Sequence, residues 1–152
     1  RRKISQKPLR ILQFTDVHID PHYVANSTAN CKELKRPLCC QSDLELNVED
    51  GAGYWGDYRE CDIPWYTFKN FLDFAANLHK KSPISYIYFT GDIINHRVWE
   101  GSINENIQVI KQMFAMVKRR LPGIKVFPVV GNHEAFPTNV CLEEDQSRFK
   151  YT

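Results

Sequence analysis

Three short apolar runs stand out along the chain, and each one ends at a polar tip. Leu9, Ile11, Leu12 and Phe14 have the apolar, β-branched character of a buried strand and lead into Asp16-x-His18. Ile84 to Thr90 (I-S-Y-I-Y-F-T) leads into Gly91-Asp92, and Ile124 to Val130 (I-K-V-F-P-V-V) into Gly131-Asn132-His133-Glu134. Between the first two runs the period changes. Phe68, Phe71, Leu72, Ala75 and Leu78 recur on one face and predict a helix from about Pro64 to Lys81, with Asp62 as N-cap and Ser82-Pro83 as the stop. A second helix follows the capping-box sequence Ser102-Ile103-Asn104-Glu105. Its apolar face reads Ile107, Ile110, Phe114, Val117 and Leu121, and Pro122-Gly123 closes it. Two helices linking three similar strands predict a β-α-β-α-β unit with parallel strands and right-handed crossovers, an α/β fold.

Residues 20–62 fit neither period. This long excursion contains Gly51-Ala52-Gly53-Tyr54-Trp55-Gly56, glycines and aromatics that suit a tightly folded loop, and it holds Cys31, Cys39, Cys40 and Cys61. A loop of that length needs a staple or a purpose. Disulfides are the favoured staple over a zinc knuckle, because adjacent Cys39-Cys40 departs from C-x2-C spacing. Disulfides imply an oxidising compartment, and the sequon Asn26-Ser27-Thr28 fits a secreted or lumenal route with a glycan on Asn26. Cys141 is left over, as a free thiol or with a partner outside this chain.

Composition adds bounds. The 152 residues fit one domain, and a formal charge of +2 is too small to imply a nucleic-acid partner. No apolar run is long enough to span a bilayer. Basic Arg1, Arg2, Lys3 and Lys7, with Arg10 just beyond, suggest a solvated leader over residues 1–8, ahead of a domain over 9–152. No signal peptide opens the chain, so its N-terminus is expected to be cut from something longer.

In a parallel unit the strand ends lie side by side, so Asp16, His18, Asp92, Asn132 and His133 can converge on one pocket. Carboxylate, imidazole and amide oxygen together suit zinc, and also manganese or iron. A carboxylate between two such ions can bridge them. Any one tip, taken alone, is as well explained by caps and turns; three in one order are not. His96 either lines this site or is a structural hydrogen-bonding residue. His79, near a helix C-terminus, fits a dipole partner, and neither it nor His22 sits at a strand end.

The order D-x-H, G-D, G-N-H-E, each after a strand, resembles the calcineurin-like metallophosphoesterases. More narrowly, Phe14-Thr15-Asp16-Val17-His18, Leu38-Cys39-Cys40, Gly51-Ala52-Gly53-Tyr54-Trp55-Gly56-Asp57-Tyr58, Cys61-Asp62 and Thr90-Gly91-Asp92-Ile93-x-x-His96-x-x-Trp99 resemble the acid sphingomyelinase family, from about Leu9 to about Asn139. The resemblance implies half of a metallophosphoesterase sandwich with a disulfide-stapled loop insertion, pairing Cys31 with Cys39 and Cys40 with Cys61. It implies two zinc ions per complete catalytic domain: Asp16 and His18 on one, Asp92 bridging, Asn132 on the second. His133 would protonate the leaving alkoxide and His96 would line the phosphate site. The implied reaction is sphingomyelin plus water giving ceramide and phosphocholine, in a lysosomal or secreted enzyme that meets sphingomyelin in membranes or lipoproteins. For the peripheral membrane contact expected of such an enzyme, aromatics around Tyr54, Trp55 and Tyr58 are the candidates. The family's further histidines, in G-H and G-H-x-H segments, are absent, as is its saposin-like domain. The chain is therefore expected to be an amino-terminal portion of a catalytic domain, unable to hold two metals firmly alone. Two other readings remain: a related phosphodiesterase of nucleotides or other soluble phosphodiesters, and a non-catalytic truncated lipid-binding product.

Overall fold

The computed structural model describes residues 8–31, 37–46 and 49–140; Cys141 and most of the basic leader lie outside them. In chain order the elements are β1 (Ile11–Phe14), β2 (Ile19–Asp20), β3 (Ile63–Pro64), α1 (Trp65–Lys81), β4 (Tyr86–Phe89), α2 (Ile103–Arg120) and β5 (Lys125–Pro128). β1, β4 and β5 form a parallel sheet in that order, with Phe14 beside Phe89 and Phe89 beside Pro128. The expected β-α-β-α-β unit is present. Because the strands are parallel and in register, their three polar tips emerge together at one sheet edge.

Side-chain alternation divides the sheet into two faces. Leu12, Phe14, Ile87, Phe89 and Val126 point into the main core, which both helices cover: Phe14 meets Phe68 and Phe71 of α1, and Phe89 meets Phe114 of α2. Phe68, Leu72, Ile87 and Met113 are almost wholly buried there. Each such burial stabilises by about 1.5–3 kcal/mol. On the other face Tyr86, Tyr88 and Phe127 gather with ring centroids 5.1–5.8 Å apart, and no helix lies over them among the described residues. Leu9 and Ile11, expected to be buried, are exposed; Ile11 belongs to this open face and Leu9 precedes the strand.

The helices correct the sequence reading in detail. Asp62 is not the N-cap of α1. Pro64 takes that position with no side-chain cap, because Ile63 and Pro64 are held extended as β3, paired with β2, and this sets Asp62 two residues too early. Leu78, expected on the apolar face, is exposed. In α2, Ser102 caps as expected, its Oγ accepting from the Glu105 amide at 3.2 Å. The buried face, however, runs through Asn106, Met113, Met116 and Val117, leaving Ile107 exposed. Asn106 is drawn inward because its Nδ2 donates to the Glu134 and Ala135 carbonyls. His79 accepts the Ile84 amide at Nδ1, 2.9 Å away, and so ties the end of α1 to the approach to β4.

The long excursion is an ordered, stapled loop. Disulfides join Cys31 to Cys39 and Cys40 to Cys61, the pairing that the resemblance implied. Tyr23, Ala29, Cys40 and Ala52 make a small second core. Arg59 braces the glycine segment through Asp57, Asp50 and the Gly51 carbonyl. No helix among the described residues is long and apolar enough to cross a membrane.

Candidate metal centre

Each tip turns sharply where its strand ends. Asp16, His18 and Asp92 all have positive φ (51°, 32° and 60°), a region that side chains other than glycine's occupy rarely and that collects at functional sites. Backbone bonds hold the first two tips together: the Asp16 amide donates to the Gly91 carbonyl at 3.0 Å and the His18 amide to the Asp92 carbonyl at 3.1 Å. The third tip is closer still. A Cβ on Gly91 would lie 2.6 Å from the Gly131 nitrogen, and one on Gly131 would lie 2.2 Å from Asp92 Oδ1. Glycine at both positions is what permits this approach.

Glu134 locks the second and third tips. Its largely buried carboxylate accepts from the amides of Asp92 (2.9 Å), Ile93 (2.5 Å) and Gly131 (2.6 Å). Asp92 Oδ1 in turn accepts the His133 amide at 3.0 Å. The Thr15 hydroxyl donates to Asp16 Oδ2.

One ligand atom each from Asp16, His18 and Asp92 lies within 4.8 Å of the other two. His18 Nδ1 is 2.7 Å from the Ile94 carbonyl, which can only accept. The proton therefore sits on Nδ1 and the lone pair on Nε2, the arrangement of a metal-ligating histidine fixed by a backbone oxygen. Asn132 adds a third oxygen tip. Its side-chain oxygen faces both Asp92 oxygens, at 3.1 and 3.3 Å, while its Nδ2 donates to Asn139 Oδ1. Oxygen against oxygen is relieved by turning over the Asn132 and Asn139 amides together or by a cation between Asn132 and Asp92. The donor set fits a hard or borderline divalent ion.

The remaining histidines crowd in. His96 Nδ1 lies 2.9 Å from Asp62 Oδ1, and the His96 amide donates to Asp62 Oδ2 at 2.7 Å. This carboxylate raises His96 above the usual histidine range against the opposing effect of burial. Burial, then the neighbouring His96 and His18, lowers His133, whose Nδ1 is 3.4 Å from the Asn95 carbonyl. The structure thus brings Asp16, His18, Asp92, Asn132, His133 and His96 to one edge and leaves His79 out of it.

Three supporting residues were missed by sequence reasoning. Glu134 stood in G-N-H-E without a role, and Asp62 was read as a cap. Asp20 is buried, its carboxylate accepting from the His22 amide, Gln41 Nε2 and Asn95 Nδ2, and burial raises its carboxyl above the usual range. It links the stapled loop to Asn95, whose carbonyl faces His133. Asp62 follows the disulfide cysteine Cys61 and stands two residues before Pro64, a position that reads as a helix cap and hides its partnership with His96.

A parallel α/β sheet whose tips gather carboxylate, imidazole and amide groups at one edge has the donor set of a divalent-metal site. The chain belongs to the calcineurin-like phosphoesterases, whose family profile matches residues 9–152. It is 36% identical to sphingomyelin phosphodiesterase 1 of Caenorhabditis elegans over 146 residues, covering 91% of this chain and 25% of that protein. It is 37% identical to sphingomyelin phosphodiesterase of Bos taurus, over 86% of this chain and 20% of that protein. Cyclic GMP-AMP phosphodiesterase SMPDL3A of Rattus norvegicus is 32% identical, over 81% of this chain and 25% of that protein. The chain thus spans a fifth to a quarter of the length of these relatives.

Proposed function

We propose that this chain supplies the amino-terminal part of a catalytic domain that hydrolyses sphingomyelin to ceramide and phosphocholine with two zinc ions. The observation that carries the reading is the convergence of Asp16, His18 and Asp92 within 4.8 Å at a sheet edge also reached by Asn132. In this reading Asp16 and His18 hold one zinc, Asp92 is shared, and Asn132 holds the second. Bound zinc supplies Lewis acidity and an acidified water. His133, anchored to Asp92 through its amide, gives a proton to the leaving alkoxide, and His96, oriented by Asp62, faces the phosphate. The further histidines come from a carboxyl-terminal half of the domain, which also covers Tyr86, Tyr88 and Phe127.

A substrate held in a lipid surface calls for a wet aromatic contact. Tyr54 and Trp55 are exposed, and Tyr54 stacks on Tyr66 at 4.9 Å. Their carbonyls accept from the Tyr66 and Thr67 hydroxyls of the first turn of α1, so the rings are presented on a fixed backbone. Tyrosine and tryptophan suit a membrane interface, and we assign peripheral contact to this knob and the neighbouring Tyr58. Two disulfides and the exposed Asn26 support glycosylation and a lysosomal or secreted setting.

The test is phosphocholine release from sphingomyelin vesicles with added zinc at acidic pH. The chain alone is expected to be inactive. Joined to the histidine-bearing carboxyl-terminal half of a relative it is expected to turn over, with Asp92→Ala reducing the rate at least ~1,000-fold, several kcal/mol of barrier. Turnover by the isolated chain would overturn the half-domain assignment. The rat relative's name favours a second reading, a soluble nucleotide phosphodiester as substrate; a higher kcat/KM for a cyclic dinucleotide than for sphingomyelin would select it.

A further inference from the structure

His18, His96 and His133 form a group that the two-zinc arrangement does not use as a set. Their ring centroids are 4.2, 4.7 and 4.5 Å apart, and one nitrogen from each lies within 4.8 Å of the other two. Each has Nδ1 turned to an oxygen: the Ile94 carbonyl at 2.7 Å, Asp62 at 2.9 Å and the Asn95 carbonyl at 3.4 Å. Oxygen partners of this kind orient ligating histidines and leave Nε2 as the donor atom. A tetrahedral zinc with bonds of ~2.1 Å spaces its nitrogens about 3.4 Å apart, a modest contraction that side-chain rotation supplies.

We propose that His18, His96 and His133 form a tri-imidazole site for a single zinc-like divalent ion, alternative to the carboxylate site and exclusive of it because both use His18. The site's existence does not depend on the substrate; its consequence rests on the function proposed above. An ion held there withdraws His133 and His96 from the phosphodiester, so the tri-imidazole state is inhibitory. The shared His18 makes the two states compete for the same lone pair.

Zinc-edge X-ray absorption and zinc titration of the full chain decide the matter. Asp16→Asn with Asp92→Asn removes both carboxylates but keeps an Oδ1 to accept the His133 amide. This variant is expected to bind one zinc through three imidazoles, and adding Asp62→Asn to weaken that binding by ~10-fold, the effect of disturbing a histidine's oxygen partner. His133→Asn with the carboxylates intact is expected to retain zinc with His18 as its sole imidazole. Failure of the carboxylate variant to bind zinc, or a first shell with fewer than three imidazoles, would overturn the proposal. His133→Gln and circular dichroism guard against misfolding: a folded carboxylate variant without zinc counts against the site. Zinc retained by the carboxylates alone would leave the phosphodiesterase reading standing, whereas absent turnover leaves the imidazole count untouched.

Discussion

Glu134 shows how much a residue of no direct chemistry can decide. Its carboxylate satisfies three backbone amides from two strand tips, and those tips carry Asp92 and Asn132. Glu134→Ala leaves these buried donors without their partner, at a cost of about 3–5 kcal/mol. Glu134→Gln turns an NH2 group toward amides that also donate, so its cost should be smaller but real. Urea denaturation orders the two variants, and amide NMR shifts at Asp92 and Gly131 locate the damage; stability equal to the parent's in both would remove the structural role. The candidate ligands were legible in the sequence because Asp and His directly after apolar runs form a local pattern. Glu134 and Asp62 were not, because what makes them important is a set of partners far away in the chain. Asp62 meets His96, 34 residues on, and Glu134 reaches back 42 residues to the Asp92 amide.

Elements were legible as types and less so as faces. The 3.6-residue period announced both helices, but α2 has apolar side chains around much of its circumference, so the choice between Ile107 and Met113 belongs to the tertiary packing. β2 and β3 have two residues each, too few for any period. The stapled loop makes its own test. The Arg59 guanidinium, with the Arg59 and Gly53 amides, holds the Asp57 carboxyl well below the usual carboxylate range. A carboxyl depressed in the folded state stabilises fully above its unfolded value of ~3.9 and loses that contribution as pH falls toward the depressed one. Asp57→Asn should therefore lower the Tm at pH 6, and the gap from the parent should narrow steadily from about pH 4 to pH 2. Melting both proteins across that range checks it; a gap independent of pH would mean that the ion pair is not the cause.

At the scale of the molecule the sheet has one covered and one open face, and the two should answer oppositely to mutation. Tyr88→Ser with Phe127→Ser is expected to keep the fold and reduce binding of a hydrophobic dye, since both side chains stand at the surface. Phe89→Ala, one position along the same strand, empties the core and should cost about 3–5 kcal/mol. A destabilisation by the surface pair as large as that of Phe89→Ala would show that the open face is internally packed. The parallel β-α-β-α-β unit was readable because each helix delivers the chain to a strand that pairs with the one before it. The placement of the stapled loop beside the tips was not, since it depends on Asp20 and Asp62 reaching Asn95 and His96.

The contact between Gly91 and Gly131 carries a genetic consequence. The separation of Asp92 from Asn132 is set by two methyl groups that are missing, since a Cβ at either position would strike backbone or the Asp92 carboxylate. Every glycine codon is a single base change from alanine. Two silent-looking positions, neither bearing a reactive atom, therefore stand one transversion away from prising the centre apart, and inherited loss of function should fall on them as readily as on the ligands themselves.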